Sequence, residues 1–317
     1  MTEPISTLSV VIPVYNSRDS LLELHERLTK VLSAQADLRE YEIVFVEDGG
    51  PDDSWDIIRE IATSDPRVRG IRHNRNFGQH NALLAGIRAA RGEAIVTIDD
   101  DLQHPPEEIP KLIAKLNEGH DVVYAPPIVE AHGAWRDFTS VVTKWTLARA
   151  MGAKTASDAS AWRIFRTRLR DAWGDYRSSF VSIDVLLSWG TTRFAALPLR
   201  HEPRRYGRSN YNFAKLFTHA INMITGYSNL PLQLASFIGF FFTAFGILIL
   251  LFVIGRFLVT GHSVPGFPFL ASIIAIFSGA QLFALGIIGE FLARMHFRML
   301  GRPQSVERER IGFDQGR

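Results

Sequence analysis

The sequence predicts an α/β protein, a mainly parallel sheet domain followed by an interfacial helix and a two-helix transmembrane hairpin, on three observations. Short β-branched runs alternate with helically spaced segments from Leu8 to about residue 125, the pattern of strands joined by crossover helices. Two uncharged apolar stretches follow, Leu234–Ile254 and Phe267–Ile288, each of about the 20 residues that span a bilayer. Arg294, Arg298, Arg302, Arg308 and Arg310 come after the second stretch, whereas the connector region carries only Arg256. The excess of cations after the second stretch places both chain ends on the cytoplasmic side.

Leu8–Ile12 reads as a buried first strand: the run is short, stops at Pro13 and follows no basic segment, so a secretory leader is not expected. Ser20–Ala34 carries apolar residues at helical spacing, and Glu42–Val46 is a second strand. Trp55–Ala62 is a helix capped by Asp52, Asp53 or Ser54, and Val68–Arg72 a third strand. His80–Ala90 is a helix closed by Gly92 with positive φ. Ala94–Ile98 is a strand, Glu107–Leu116 a helix and Asp121–Tyr124 a strand. Residues 126–212, less regular and rich in aromatics and arginines, complete a domain over 1–212. Phe213, Leu216, Phe217, Ala220, Ile224 and Tyr227 share one helical side. Lying just before an apolar segment, residues 213–230 read as an interfacial helix. The hairpin occupies 231–294, with spans at about 234–254 and 267–288. Gly261, Pro265, Gly266 and Pro268 supply its tight turn, and 295–317 is a basic tail.

Hydrophobic residues make up 46% of the 317 positions, which favours a membrane segment, while a net charge of +2 argues against a nucleic-acid partner. With no cysteine in the chain, disulfides and thiolate metal sites are excluded. In parallel sheets ligands sit at the carboxyl ends of strands. Polar clusters follow the strands here: Tyr15-Asn16, Glu47-Asp48-Gly49, Arg75-Asn76 and Asp99-Asp100-Asp101. Three adjacent carboxylates at a strand end repel one another, and a hard divalent cation with few protein ligands relieves this and leaves room for phosphate oxygens. An acidic turn capping the next helix is the plainer alternative.

Val11-Ile12-Pro13-Val14-Tyr15-Asn16, Val46-Glu47-Asp48-Gly49-Gly50-Pro51-Asp52, Asn74-Arg75-Asn76-Phe77-Gly78 and Asp99–Glu107 resemble the successive signatures of the inverting, GT-A-fold glycosyltransferases of family 2. The Asp-Leu-Gln-His-Pro-Pro-Glu tail and the C-terminal hairpin resemble the polyprenyl-phosphate branch that includes dolichol-phosphate mannose synthase. The resemblance implies a Rossmann-like GT-A domain in which Pro13, Tyr15, Asn16, Asp48, Arg75, Asn76, Asp99 and Asp100 serve the donor. It implies Mg²⁺ or Mn²⁺ held by Asp99, Asp101 and Gln103. Gly50 departs from the family's usual Ser, and Ser17 stands where an acidic residue is frequent.

His201–Tyr211 resembles the family's Arg-x-x-Gly-x-Ser-Lys loop, with Arg204 at the arginine position and Asn210 replacing the lysine. Arg204 and Ser209 are thereby candidates for the acceptor phosphate, which a guanidinium fork grips through two oxygens. Asp158-Ala159-Ser160-Ala161-Trp162-Arg163 resembles the acceptor-side segment, which makes Asp158 the candidate base and Arg163 a further phosphate ligand. Arg136 is a third candidate. A polyprenyl monophosphate is largely dianionic at neutral pH, with a second pKa of about 6. Asp158 can therefore position the acceptor without removing a proton.

The resemblance thus implies inverting transfer from a nucleotide-sugar, with UDP-glucose favoured as donor, to undecaprenyl or another polyprenyl phosphate. Transfer takes place at the cytoplasmic membrane face by an enzyme that assembles as a homo-oligomer, tetrameric in relatives. Competing readings are a GDP-mannose-dependent mannose synthase, a processive polysaccharide synthase and a silent nucleotide-sugar-binding scaffold. Two spans are too few for a synthase channel, and the retained Asp99, Asp101 and Gln103 argue against a scaffold.

Overall fold

The computed structural model describes residues 4–128, 158–178, 181–203, 230–261 and 266–313. They form two compact units, Met1–Phe213 with Gly301–Arg317, and Ala214–Leu300. The first is built on an eight-stranded sheet. Its first half alternates strand and helix: β1 (Thr7–Val14), α1 (Leu21–Ser33), β2 (Glu40–Glu47), α2 (Ser54–Ser64), β3 (Val68–His73), α3 (Gln79–Ala89) and β4 (Ala94–Thr97). A 3-10 turn at Pro106–Glu108, α4 (Ile109–Asn117) and β5 (Val122–Tyr124) follow. Next come β6 (Arg163–Arg166), a 3-10 segment Thr167–Trp173, α5 (Ile183–Gly190) and β7 (Phe194–Ala196).

β1 lies at the centre, parallel to β2 and β4, and β2 is parallel to β3. A central strand is covered on both faces, which is why Leu8–Val14 is apolar at every position but Ser9. Leu8, Val10, Ile12 and Val14 pack with Leu21, Leu24 and Leu28 of α1 on one face. On the other, Val11 packs with Leu83, Leu84 and Ile87 of α3. β6 joins β4 antiparallel, and β5 returns antiparallel to β6. The parallel core therefore carries a mixed flank, whose antiparallel hydrogen bonds no crossover helix announces in the sequence.

Gly92 does not close α3 with a positive φ: it is not among the positive-φ glycines, and the helix ends at Ala90 in an extended conformation. A Cβ at Gly92 would lie 2.7 Å from the Leu8 carbonyl carbon. Close approach to β1, and not backbone handedness, is what requires glycine there.

Residues of the presumed basic tail form an edge strand, β8 (Glu307–Ile311), antiparallel to β3. The chain thus leaves the sheet unit at residue 213 and rejoins it from 301. Glu309 accepts a hydrogen bond from Trp55 Nε1 (3.0 Å) and Ile311 packs on the core. Arg88 donates to the buried Gln304 side chain (2.6 Å), whose amide donates to the Ser178 carbonyl (2.8 Å). Alternating Glu and Arg suit an edge strand, whose charges discourage further pairing. In sequence the same alternation looks like a solvated tail.

Beneath α1 and α2, Asp65 receives Arg67 Nε (2.8 Å) and meets His25 Nε2 (3.1 Å). Burial alone would raise its carboxyl. Hydrogen bonds from the Arg67 side chain and backbone and from His25 outweigh it and bring the pKa to about 2. A carboxyl depressed on folding stabilises the fold above its unfolded pKa, and that contribution fades as pH falls towards the folded value. Asp65→Asn is expected to cost about 2 kcal/mol at pH 7. Urea midpoints of variant and parent should draw together from about pH 4 and converge only at about pH 2 and below.

The second unit contains α6 (Leu230–Thr260) and α7 (Phe267–Met299). Ala235–Val259 of α6 is long and apolar enough to cross a membrane, and none of its most apolar window is buried. The apolar stretch of α7 among the described residues, Phe277–Ala293, is shorter. Within this unit Phe242 meets Phe277 edge-on at 5.7 Å, and a Cβ at Gly246 would lie 3.0 Å from that ring. The expected interfacial helix 213–230 lies almost wholly outside the described residues.

Candidate active site

The carboxyl ends of β1, β2, β3 and β4 fall on one edge, with Val14 beside Glu47 and Glu47 beside Arg72. Successive strands run outward from β1 to β2 and β3, and the chain then crosses back to place β4 on the other side of β1. That reversal opens a crevice between the β1 and β4 loops, where doubly wound sheets bind ligands.

Pro13 is buried in β1, while Tyr15 is 42% exposed and Asn16 takes φ +59°, which Asn tolerates better than most residues. This loop is tied to β4 by Asp100, whose Oδ2 accepts from Tyr15 N (3.1 Å) and Ser17 Oγ (2.5 Å). Burial raises the Asp100 carboxyl to about 6, against these two hydrogen bonds. The middle acid of the triplet is therefore relieved by hydrogen bonds and partial neutralisation.

Asp48 is 3% exposed and accepts from His73 Nδ1 (2.8 Å), Phe77 N (2.9 Å) and Gly78 N (2.7 Å). It thereby fixes the β3–α3 loop that carries Arg75 and Asn76, both exposed. Gly49 follows with φ +64°, and a Cβ there would sit 2.3 Å from the Arg75 carbonyl carbon. Only glycine lets the two loops approach so closely. Arg75 lies over the Phe77 ring at 4.1 Å. Neighbouring Glu47 is raised by burial, which hydrogen bonds from Gly50 N and Arg72 offset only in part.

Asp99, Asp101 and Gln103 are half-buried after β4. Asp99 Oδ1 accepts from Gln79 Nε2 (2.7 Å), and Asp101 Oδ1 accepts from Gln103 N (3.1 Å). Leu102 between them is fully buried at φ +61°, a strain of about 1–3 kcal/mol that the surrounding packing must hold. Among the described residues no group of three or more His, Asp or Glu is arranged around a common metal position. Two carboxylates and an amide do fit Mg²⁺ or Mn²⁺ that completes its shell with substrate phosphates and water.

Arg163 is among the fully buried side chains. It lies in β6 at 1% exposure, and its guanidinium pairs with Asp184 while Nε donates to Thr97 Oγ1 (3.2 Å). That ion pair engages the Arg163 charge within the sheet unit. Asp158 is half-buried. Arg136, Arg204 and Ser209 lie outside the described residues.

Sequence reasoning overlooked His104, Trp162 and His201, which form a ring cluster behind Gln103. His104 stacks on Trp162 (5.1 Å) and meets His201 edge-on (4.9 Å). Burial, then the nearby His201 and Arg163, lower His104 to about 3. Its membership of the Asp-Leu-Gln-His run was the available signal.

The Glycosyl transferase family 2 model matches residues 9–173, the span from β1 through β6 that builds this edge. This chain belongs to glycosyl transferase family 2. Similar family members include an undecaprenyl-phosphate 4-deoxy-4-formamido-L-arabinose transferase of Shewanella sediminis, 36% identical over 304 residues, 95% of this chain and 91% of that protein. The Proteus mirabilis protein of that name is 34% identical over 313 residues, 98% and 95% of the two chains. Glucosyl-3-phosphoglycerate synthase from Mycobacterium tuberculosis, solved with Mn²⁺, UDP and phosphoglyceric acid, shares the fold. Its TM-score is 0.50 at 20% identity, covering 69% of this chain and 76% of that one. The chain is a family-2 glycosyltransferase with a GT-A-like sheet domain.

Proposed function

We propose that this glycosyltransferase transfers a sugar from a UDP-sugar to undecaprenyl phosphate at the cytoplasmic membrane face, with inversion at the anomeric carbon. The observation that carries the reading is the strand-end edge, with Tyr15, Asn16 and Asp48 on one side of the crevice and Asp99, Asp101 and Gln103 on the other. Near-full-length similarity to undecaprenyl-phosphate 4-deoxy-4-formamido-L-arabinose transferases supports a 4-deoxy-4-formamido-L-arabinose donor over UDP-glucose.

Pro13, Tyr15 and Asn16 line the nucleoside pocket, Asp48 holds the Arg75–Asn76 loop over it, and Asp100 locks that pocket to β4. Asp99, Asp101 and Gln103 are the residues that would hold a divalent ion, which supplies positive charge for the departing diphosphate. Asp158 orients the acceptor phosphate, whose oxygen is anionic enough to attack without a base. Arg136, Arg204 and Ser209 are the remaining candidates for phosphate contact.

Both α6 and α7 cross the bilayer in this reading. Exposed Phe237, Phe240 and Leu258 on α6 and Leu270, Ile274 and Leu282 on α7 support it. A chain that leaves the sheet unit and rejoins it as β8 must cross an even number of times, which supports a hairpin with both termini cytoplasmic. Residues 1–212 would then be the catalytic domain and 213–230 an interfacial helix. Holding the domain at the surface keeps a lipid head group within reach, so proximity lowers the barrier.

The test incubates membranes containing the full chain with radiolabelled UDP-4-deoxy-4-formamido-L-arabinose, UDP-glucose or GDP-mannose, plus undecaprenyl phosphate. Organic-extractable label from the arabinose donor is expected to exceed that from the others. Label from GDP-mannose alone, or from none, contradicts the proposal.

A further inference from the structure

His104 is the residue on which three segments meet. Its Nδ1 is 3.2 Å from the backbone N of Asp99. A backbone N–H only donates, so Nδ1 is the acceptor and the ring proton sits on Nε2. The ring stacks on Trp162 at 23° and meets His201 at 81°, and Trp162 in turn lies 5.6 Å from His201. Trp162 stands four residues after Asp158. His201 opens the loop that continues to Arg204, and it bonds the Ala125 carbonyl through Nε2 (3.2 Å). The adjacent Glu202 N donates to the Gln103 carbonyl (2.8 Å), so the same loop is stitched to the residue whose side chain faces the donor phosphates in the proposed reaction.

We infer that His104 is a positioning residue that couples the donor edge to the acceptor side: its nitrogen holds Asp99, and its ring seats Trp162 and His201. The inference rests on the proposed transfer to a lipid phosphate. The coupling matters because in-line attack tolerates little displacement between the reacting groups. The two duties use different parts of one side chain and can be separated by substitution. His104→Asn retains an acceptor near Nδ1 and removes the stacking surface. His104→Phe retains the ring and removes the acceptor, leaving the Asp99 N–H without its partner.

In the full-length protein, His104→Phe is expected to weaken Mn²⁺-dependent UDP binding by about 10-fold or more, with the KM for undecaprenyl phosphate little changed. His104→Asn is expected to raise that KM by about 10-fold and leave UDP binding within about 2-fold, the scale of effects for residues that orient ligands at second hand. Thermal melts confirm that both variants are folded. Equal shifts of both parameters in both variants, or a lowered Tm with neither parameter moved, overturn the inference. Absence of lipid transfer by the parent protein with every donor defeats the proposed function. UDP binding still decides the donor half: weaker binding in the Phe variant than in the Asn variant supports it, and equal binding overturns it.

Discussion

Asp101→Ala is expected to lower sugar transfer by on the order of 10³-fold, the scale seen when a group that stabilises developing charge is removed. The Asp101 side chain is half-buried beyond β4, and its Oδ1 accepts from Gln103 N, an exchange confined to the loop. Far-UV circular dichroism and membrane insertion are expected to match the parent. Asp100 provides the contrast. Its carboxylate bridges to Tyr15 and Ser17, so its loss acts through the β1 loop and through nucleotide affinity. Unchanged turnover in a folded Asp101→Ala protein contradicts the assignment of this residue to the divalent ion.

Arg163→Ala is expected to cost about 3 kcal/mol of stability, because it leaves the half-buried Asp184 carboxylate without its guanidinium partner. The arginine is 1% exposed, and it also donates to the Ala161 carbonyl at 3.3 Å, so β4, β6 and α5 are all affected. The double variant Arg163→Met/Asp184→Leu removes both charges at similar volume and should recover most of that loss. Urea unfolding measures both. A stable Arg163→Ala protein with only a raised acceptor KM would instead support the phosphate role expected from sequence.

Strand and helix placement through β5 was legible because each element buries one face or both, and burial imposes periodicity. Leu8–Ile12 and Ala94–Ile98 had no polar residue to interrupt them beyond Ser9 and Thr97, both of which find buried partners. The polar strand ends were legible for a related reason: Tyr15, Asp48 and Asp99 break an apolar run where the sheet stops. β8 was hidden because an edge strand is allowed charges, and Glu307–Arg310 reads as tail until Trp55 and Arg59 are seen beside Glu309. The ion pair of Arg163 with Asp184 was hidden because it joins positions 21 residues apart. The duty of His104 was hidden because stacking on Trp162 and edge-on contact with His201 join positions separated by 58 and 97 residues, beyond what local spacing conveys.

The most direct measurement is transfer of labelled sugar to undecaprenyl phosphate by the purified full chain after exhaustive chelation, then after Mn²⁺ or Mg²⁺ is restored. Transfer should fall to background on chelation and return with the ion, and Asp101→Ala should fail to recover. Undiminished transfer in a folded, ion-free sample would contradict the role given to Asp99, Asp101 and Gln103.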